Sequence, residues 1–169
     1  MTTIYTSKLD SPLGTLFLAH ANNTLYALDF QEFQPRFDAQ LAKRFPQVNI
    51  EPGQISPMLQ QQLTAYFDGD IHILSDILVH MHGTPFQQQV WQGLRAIPAG
   101  KTSSYQQLAQ AIGNTKAQRA VGAANGKNPM PLVVPCHRVI SANGTIGGYS
   151  GALWRKEWLL KHEHAVIPA

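Results

Sequence analysis

Apolar and polar positions alternate between residues 15 and 30, with Leu16 and Leu18 on one side of Asn22-Asn23 and Tyr26, Leu28 and Phe30 on the other. A period of two around an Asn pair predicts two half-buried strands joined by a tight hairpin. The period then lengthens. Ser56-Pro57 is an N-cap followed by proline at the first helical position, and Leu59, Leu63 and Phe67 recur at helical spacing until Asp68-Gly69 ends the run. Residues 71–83 (IHILSDILVHMHG) predict a strand and a linker.

From Thr84 onward the pattern is helical. Thr84-Pro85 repeats the cap-plus-proline signal, Phe86, Val90 and Leu94 make one face, and Pro98 stops it. Ser104 with Gln107 predicts a capping box ahead of Tyr105, Leu108, Ala109 and Ile112, with Gly113 closing that helix. Thr115 with Gln118 predicts a second box opening an Ala-rich helix to about Asn125. Two short helices across a Gly-containing turn match a helix-turn-helix, although any two-helix corner reads the same way. A strand-like LVV at 132–134, then VISANGTIGGY with Asn143-Gly144 as a tight turn, would supply a wing, and a last helix runs from Trp154 to about His162.

Composition narrows the class. The chain has 169 residues, 44% hydrophobic and 14% charged, which fits an ordinary globular protein and excludes wholesale disorder. One cysteine excludes an internal disulfide framework and a zinc site built on paired thiolates. MTTIYTSKLDSPLG has neither a basic nor an apolar signal region, and no stretch approaches the ~18 apolar residues of a membrane span, so no membrane partner is expected and the setting is a reducing, cytoplasmic one. The formal net charge of +3 is unevenly spread. Residues 1–82 hold four Lys/Arg against eight acids, a formal −4, and residues 83–169 hold nine against two, a formal +7. A basic second half suggests a polyanion partner there, and a solvated surface is the plain alternative.

The candidate chemistry lies in that half. Cys136 sits in Pro135-Cys136-His137-Arg138, with an imidazole and a guanidinium beside the thiol. Cationic neighbours favour the reactive thiolate, and a histidine can take the thiol proton directly or through a water while a carboxylate orients its ring. Glu163 is one of two acids in the basic half and fits that orienting role. Equally, a cysteine in apolar VVPC can be a small core hydrophobe. Neighbours in a strand face opposite ways, so coupling Cys136 to His137 needs a turn or a bridging water.

The hexapeptide PCHRVI at 135–140 resembles the active-site signature of the O6-alkylguanine-DNA alkyltransferases, and the likeness runs co-linearly from GTPFQQQVW at 83 to WLLKHE at 163. The resemblance implies an α/β, ribonuclease-H-like N-terminal domain over 1–82 and a mostly α, winged helix-turn-helix domain over 83–169. It implies a DNA repair protein that moves an alkyl group from O6-alkylguanine, with O4-alkylthymine as a further substrate, irreversibly to its own cysteine. The partner would be double-stranded DNA bearing the lesion, entered through the minor groove by a protein that is monomeric in solution. Cooperative binding on DNA is left open, and no cofactor or metal is implied.

Roles follow residue by residue. Cys136 would accept the alkyl group, His137 would draw off its proton through a water, and Glu163 would stand behind His137. Asn128 would hold the loop that carries the cysteine. Tyr105 would donate to N3 of the leaving guanine, and the Ser150 backbone N–H would approach O6. The carbonyls of Cys136 and Val139 would accept from the exocyclic amine, and Tyr149 would line the pocket. Arg119 would fill the gap left by the flipped nucleotide, while Ala120 and Ala123 let its helix approach the DNA backbone.

Without the resemblance, Tyr105 reads as a core aromatic and Arg119 as a solvated charge. Trp91, Trp154 and Trp158 read as core residues. His72, His80 and His82 have no cysteine beside them and are read as ordinary histidines, so no structural zinc is expected. Two other functions remain open at this level. A cysteine hydrolase or acyltransferase would use the same Cys136, His137 and Glu163 but needs an oxyanion hole. A recognition-only module resembles relatives that replace the cysteine, against which the intact Cys136 argues.

Overall fold

A computed structural model describes residues 3–165. The chain divides into two compact units, Met1–His82 and Gly83–Ala169. Among the described residues they supply a mixed five-stranded sheet and six α-helices, and no helix is long and apolar enough to cross a membrane.

The first unit is built on the predicted hairpin. Strands β2 (Leu16–Ala21) and β3 (Thr24–Phe30) pair antiparallel, and Asn22 and Asn23 take φ of 52° and 63°. Two consecutive left-handed residues make the turn whose twist suits a two-residue hairpin, and Asn tolerates that conformation. Strand β1 (Thr3–Leu9) flanks β2, with β4 (Asn49–Pro52) and β5 (Leu78–Val79) at the edges, in the order β4-β1-β2-β3-β5. Phe17, Ala19 and Ala27 share one face with Phe37 and Leu41 of α1 (Gln34–Arg44) and with Ile4 and Phe45.

Two expectations change here. All of β2 is buried rather than one face, because it is the central strand and is covered on both sides. In α2 (Pro57–Phe67), Ser56 Oγ accepts from the Leu59 N–H as expected, but Tyr66 replaces Phe67 beside Leu59 and Leu63 on the buried face.

In the second unit, α3 (Pro85–Arg95) and α4 (Tyr105–Ala111) both open with complete capping boxes, Thr84 with Gln87 and Ser104 with Gln107. Trp91 is fully buried, and its Nε1–H donates to the Ala124 carbonyl of α5 (Gln118–Gly126) at 2.9 Å. The predicted Thr115–Gln118 box does not form. The Ala117 N–H bonds the Asn114 carbonyl, a turn that consumes Thr115, so Ala117 becomes the N-cap and offers no side-chain oxygen.

The segment after α5 has no regular strand. Residues 132–134 lie in a turn closed by the Val134 N–H on the Met130 carbonyl, and Ser141–Gly144 closes another ahead of a loop. Helix α6 (Leu153–His162) follows. Trp154 is 49% exposed and Trp158 half-buried, so neither is a core residue; the buried positions of α6 are Arg155, Lys156, Leu159 and Leu160.

Candidate active site

Cys136, His137 and Arg138 form a single 3-10 turn, closed by the Arg138 N–H on the Pro135 carbonyl at 3.0 Å and the Val139 N–H on the Cys136 carbonyl at 3.3 Å. The turn removes the objection that strand neighbours face apart. All three residues are buried, with Cys136 2% exposed.

Two anchors fix this turn. Asn128 Nδ2 donates to the Val134 carbonyl at 2.7 Å while its Oδ1 accepts from the Met130 N–H at 3.0 Å. Between those contacts Leu132 is fully buried at φ 81°, a left-handed conformation that a branched side chain adopts only when its surroundings impose it. On the other flank, the Ser103 N–H donates to the Arg138 carbonyl and the Ile140 N–H to the Ser103 carbonyl, both at 2.8 Å. Because Ser103 precedes the cap of α4, this bridge ties Tyr105 to the cysteine turn.

Behind the turn stands Glu163, 1% exposed, at the C-cap of α6. A carboxylate at a helix C-terminus faces the wrong end of the helix dipole, so something must hold it there. His137 Nε2 lies 2.9 Å from Glu163 Oε2, and Arg138 donates from Nε to Oε1 and from Nη2 to Oε2, each at 2.9 Å. Arg138 Nη1 also donates to the Ile97 carbonyl at 2.7 Å. Burial alone would raise the Glu163 pKa; His137 and the Arg138 fork outweigh it and hold the carboxyl well below the usual range. Burial first, with the charges of Arg138 and Lys156 behind it, lowers the His137 pKa against the opposing pull of Glu163, so the ring is neutral near pH 7. An ionised carboxylate only accepts, so Nε2 carries the proton and Nδ1 is the bare base. Among the described residues Nδ1 makes no hydrogen bond.

Tyr105 opens α4. Burial first and then the negative charge of Cys136 push its hydroxyl above the ordinary phenol value, against an opposing pull from Asn125, so it remains a donor. Tyr105 also lines a cavity of about 570 Å³ with Lys116, Gln118, Arg119 and Gly122. Arg119, Ala120 and Ala123 lie on the exposed face of α5. Tyr149 sets its ring edge-on to His137, centroids 6.5 Å apart, and Ser150 is exposed beside it. The Ala152 N–H bonds the Tyr149 carbonyl, and Ala152, at φ 80°, closes this loop into α6.

The structure thus gathers Cys136, His137, Glu163, Asn128 and Val139 at one turn, with Tyr105 in electrostatic reach of the cysteine. Arg119, Ala120 and Ala123 belong to the outer face of α5. Sequence reasoning missed Arg138 as the clamp on Glu163, and Lys156, whose buried ammonium reaches the Val139 carbonyl. The signal for Lys156 was available, because it precedes Glu163 by seven residues and so shares its helix face. In the first unit, the rings of His80 and His82 stack 6.3 Å apart against Tyr26 and Phe45, forming an aromatic cluster.

Fold and site define a protein with one buried thiol, followed in the same turn by a neutral histidine held on a carboxylate, in a unit that also carries a pair of short helices. The model of the 6-O-methylguanine DNA methyltransferase DNA-binding domain matches residues 85–165. The methylated-DNA–protein-cysteine methyltransferase of Salmonella typhimurium is 42% identical across 92% of this chain and 93% of its own, and that of Mycobacterium tuberculosis is 41% identical across 98% and 96%. The solved structure of Mycobacterium tuberculosis OGT in complex with DNA matches with a TM-score of 0.79 at 41% identity, covering 98% of this chain and 96% of that one. The chain belongs to the methylated-DNA–protein-cysteine methyltransferases.

Proposed function

We propose that this protein repairs DNA by taking the alkyl group of O6-alkylguanine onto Cys136. The observation that carries the reading is the buried turn in which Cys136 is followed by a neutral His137 whose Nε2 is fixed by Glu163 and whose Nδ1 remains free to accept a proton. Membership of the family and the likeness to a relative solved with DNA support the same partner.

The chemistry balances without a cofactor. The Sγ proton passes through a water to His137 Nδ1, and the thiolate attacks the sp³ carbon of the alkyl group. The S–C bond forms as the C–O6 bond breaks, and the electron pair goes to the guanine ring. Tyr105 donates to N3 and the Ser150 N–H to O6, stabilising the charge where it develops. The carbonyls of Cys136 and Val139 each already accept one hydrogen bond, and each keeps a second lone pair for the exocyclic amine. The product is a thioether with no hydrolysable bond, so each molecule reacts once.

A base inside a duplex shields its O6, so the nucleotide must rotate out, at a cost of a few kcal/mol. In this reading α4 and α5 are a helix-turn-helix and the loop around Asn143-Gly144 is its wing. Exposed Arg119 enters the minor groove and fills the vacated stack, with Ala120 and Ala123 giving close approach. The first unit is a ribonuclease-H-like support, and the protein acts as a cytoplasmic monomer that takes further lesions of the same kind, O4-alkylthymine included.

The test is mass spectrometry after mixing with excess duplex DNA carrying one O6-methylguanine. One methyl on the Cys136 peptide, saturating at one per protein, is expected, and Cys136→Ala should bind the lesion without transfer. Repair that survives Cys136→Ala would overturn the nucleophile assignment, and lesion binding with unmodified Cys136 in the parent protein would make this a recognition module.

A further inference from the structure

Among the buried charges of helix α6 is Lys156, and its partners are carbonyls. Lys156 is 1% exposed; its Nζ donates to the Val139 carbonyl at 2.6 Å and to the Gly148 carbonyl at 3.0 Å. Among the described residues no carboxylate lies within ion-pair range of it. An ammonium withdrawn from water without a counter-ion is costly, and an apolar side chain of equal length would avoid that cost. Two of its three donors occupy carbonyls, which leaves one for an anion.

The other charges at the site cancel or are absent. Arg138 and Glu163 neutralise each other in their fork, and His137 is neutral. Tyr105, facing from α4, stays protonated, and the Arg95 guanidinium of α3 has its pKa lowered by burial first and then by the charge of Arg138. Buried Arg155, the neighbouring cation on α6, donates to the Gly151 carbonyl and lies over the Trp154 ring, while Lys156 is a cation on which the charge of Cys136 acts. Burial pushes Lys156 down to about 8, and the charge of Cys136 opposes that fall.

We infer that Lys156 is the positioning residue of the nucleophile, one ammonium that clasps the Tyr149–Ser150 loop to the cysteine turn through Gly148 and Val139 and serves as counter-charge to the Cys136 thiolate. The inference deepens the reading of Cys136 as alkyl acceptor and rests on it. When the thiol proton leaves through water to His137, the negative charge left on sulfur meets this cation, so the pair is complete only in the activated state. The same contact orients the Val139 carbonyl that would read the guanine amine.

Cys136 is the sole cysteine of the chain, so isotope labelling at cysteine Cβ gives one NMR resonance that titrates with the thiol. Lys156→Met should raise that midpoint by about one unit, a roughly tenfold loss of thiolate near neutral pH. Lys156→Arg, which keeps the charge, should bring it back toward the parent value. A midpoint unmoved in folded Lys156→Met overturns the inference. Should that variant fail to fold, the reciprocal titration decides: coupling is mutual, so Cys136→Ala must lower the Lys156 midpoint below that of the parent, and an equal midpoint overturns it. Neither titration contains DNA, so its failure and the failure of methyl transfer are separate results.

Discussion

Arg138 grips Glu163 through two parallel contacts, Nε to Oε1 and Nη2 to Oε2, each 2.9 Å, while the same Oε2 receives His137 Nε2. One carboxylate therefore both anchors a cation and sets the tautomer of the base. Neither job can be changed alone, because both donors converge on a group with almost no access to water.

Glu163→Gln disturbs both jobs at once and is read in stability. It leaves the Arg138 guanidinium buried without its anion, so a loss of about 3–5 kcal/mol is expected in urea unfolding. The pH dependence has a definite sign. His137 has a lowered folded pKa, so parent stability should begin to fall as the pH drops below about 6.5, where the unfolded ring takes up its proton first. Glu163 is depressed too, so its contribution is present above its unfolded value of about 4.3 and is lost progressively as the pH falls from there through its lower folded value. Glu163→Gln should flatten the second step, and an unchanged slope below about pH 5 would refute this assignment.

Asn128→Ala removes two buried hydrogen bonds and releases the loop that holds Leu132 at φ 81°. Each orphaned backbone group costs about 1–3 kcal/mol, partly offset by relief of the Leu132 strain. A net loss of about 2 kcal/mol is expected, with faster amide exchange at Met130 and Val134 than elsewhere in the unit. Uniform exchange would show that Asn128 is no local anchor.

Arg119→Ala should leave thermal stability within about 0.5 kcal/mol, because Arg119 is exposed. Repair of a lesion in duplex DNA should slow about tenfold or more, since the opened stack loses its filler at a step worth a few kcal/mol. The same lesion in a single strand should be repaired nearly as fast as by the parent. Equal slowing on both substrates would assign Arg119 to general phosphate contact.

Local chemistry made much of this chain readable. The hairpin at Asn22-Asn23 and the caps at Ser56, Thr84 and Ser104 depend on neighbours within four residues, and each formed as spaced. Thr115 failed because a turn from Asn114 to Ala117 competes for the same backbone, which spacing alone cannot weigh. Cys136, His137 and Glu163 were legible because few acids and one thiol leave little choice. Arg138 was not, since a charged side chain is solvent-facing by default and only tertiary packing turns it inward, and for Lys156 the spacing to Glu163 showed a shared helix face but not its burial. Trp154 erred the other way, an aromatic taken as core that lies exposed beneath the Arg155 guanidinium at 4.5 Å.

The placement of Lys156 and Glu163 on α6 has a consequence for synthesis. Chains emerge N-terminus first, so Cys136 leaves the ribosome before the helix that serves it. Until α6 is made and docked, the thiol has no base with a fixed tautomer and no counter-charge. On the mechanism proposed above, the nascent chain carries a cysteine without its base or counter-charge, and its single transfer is kept for the finished fold.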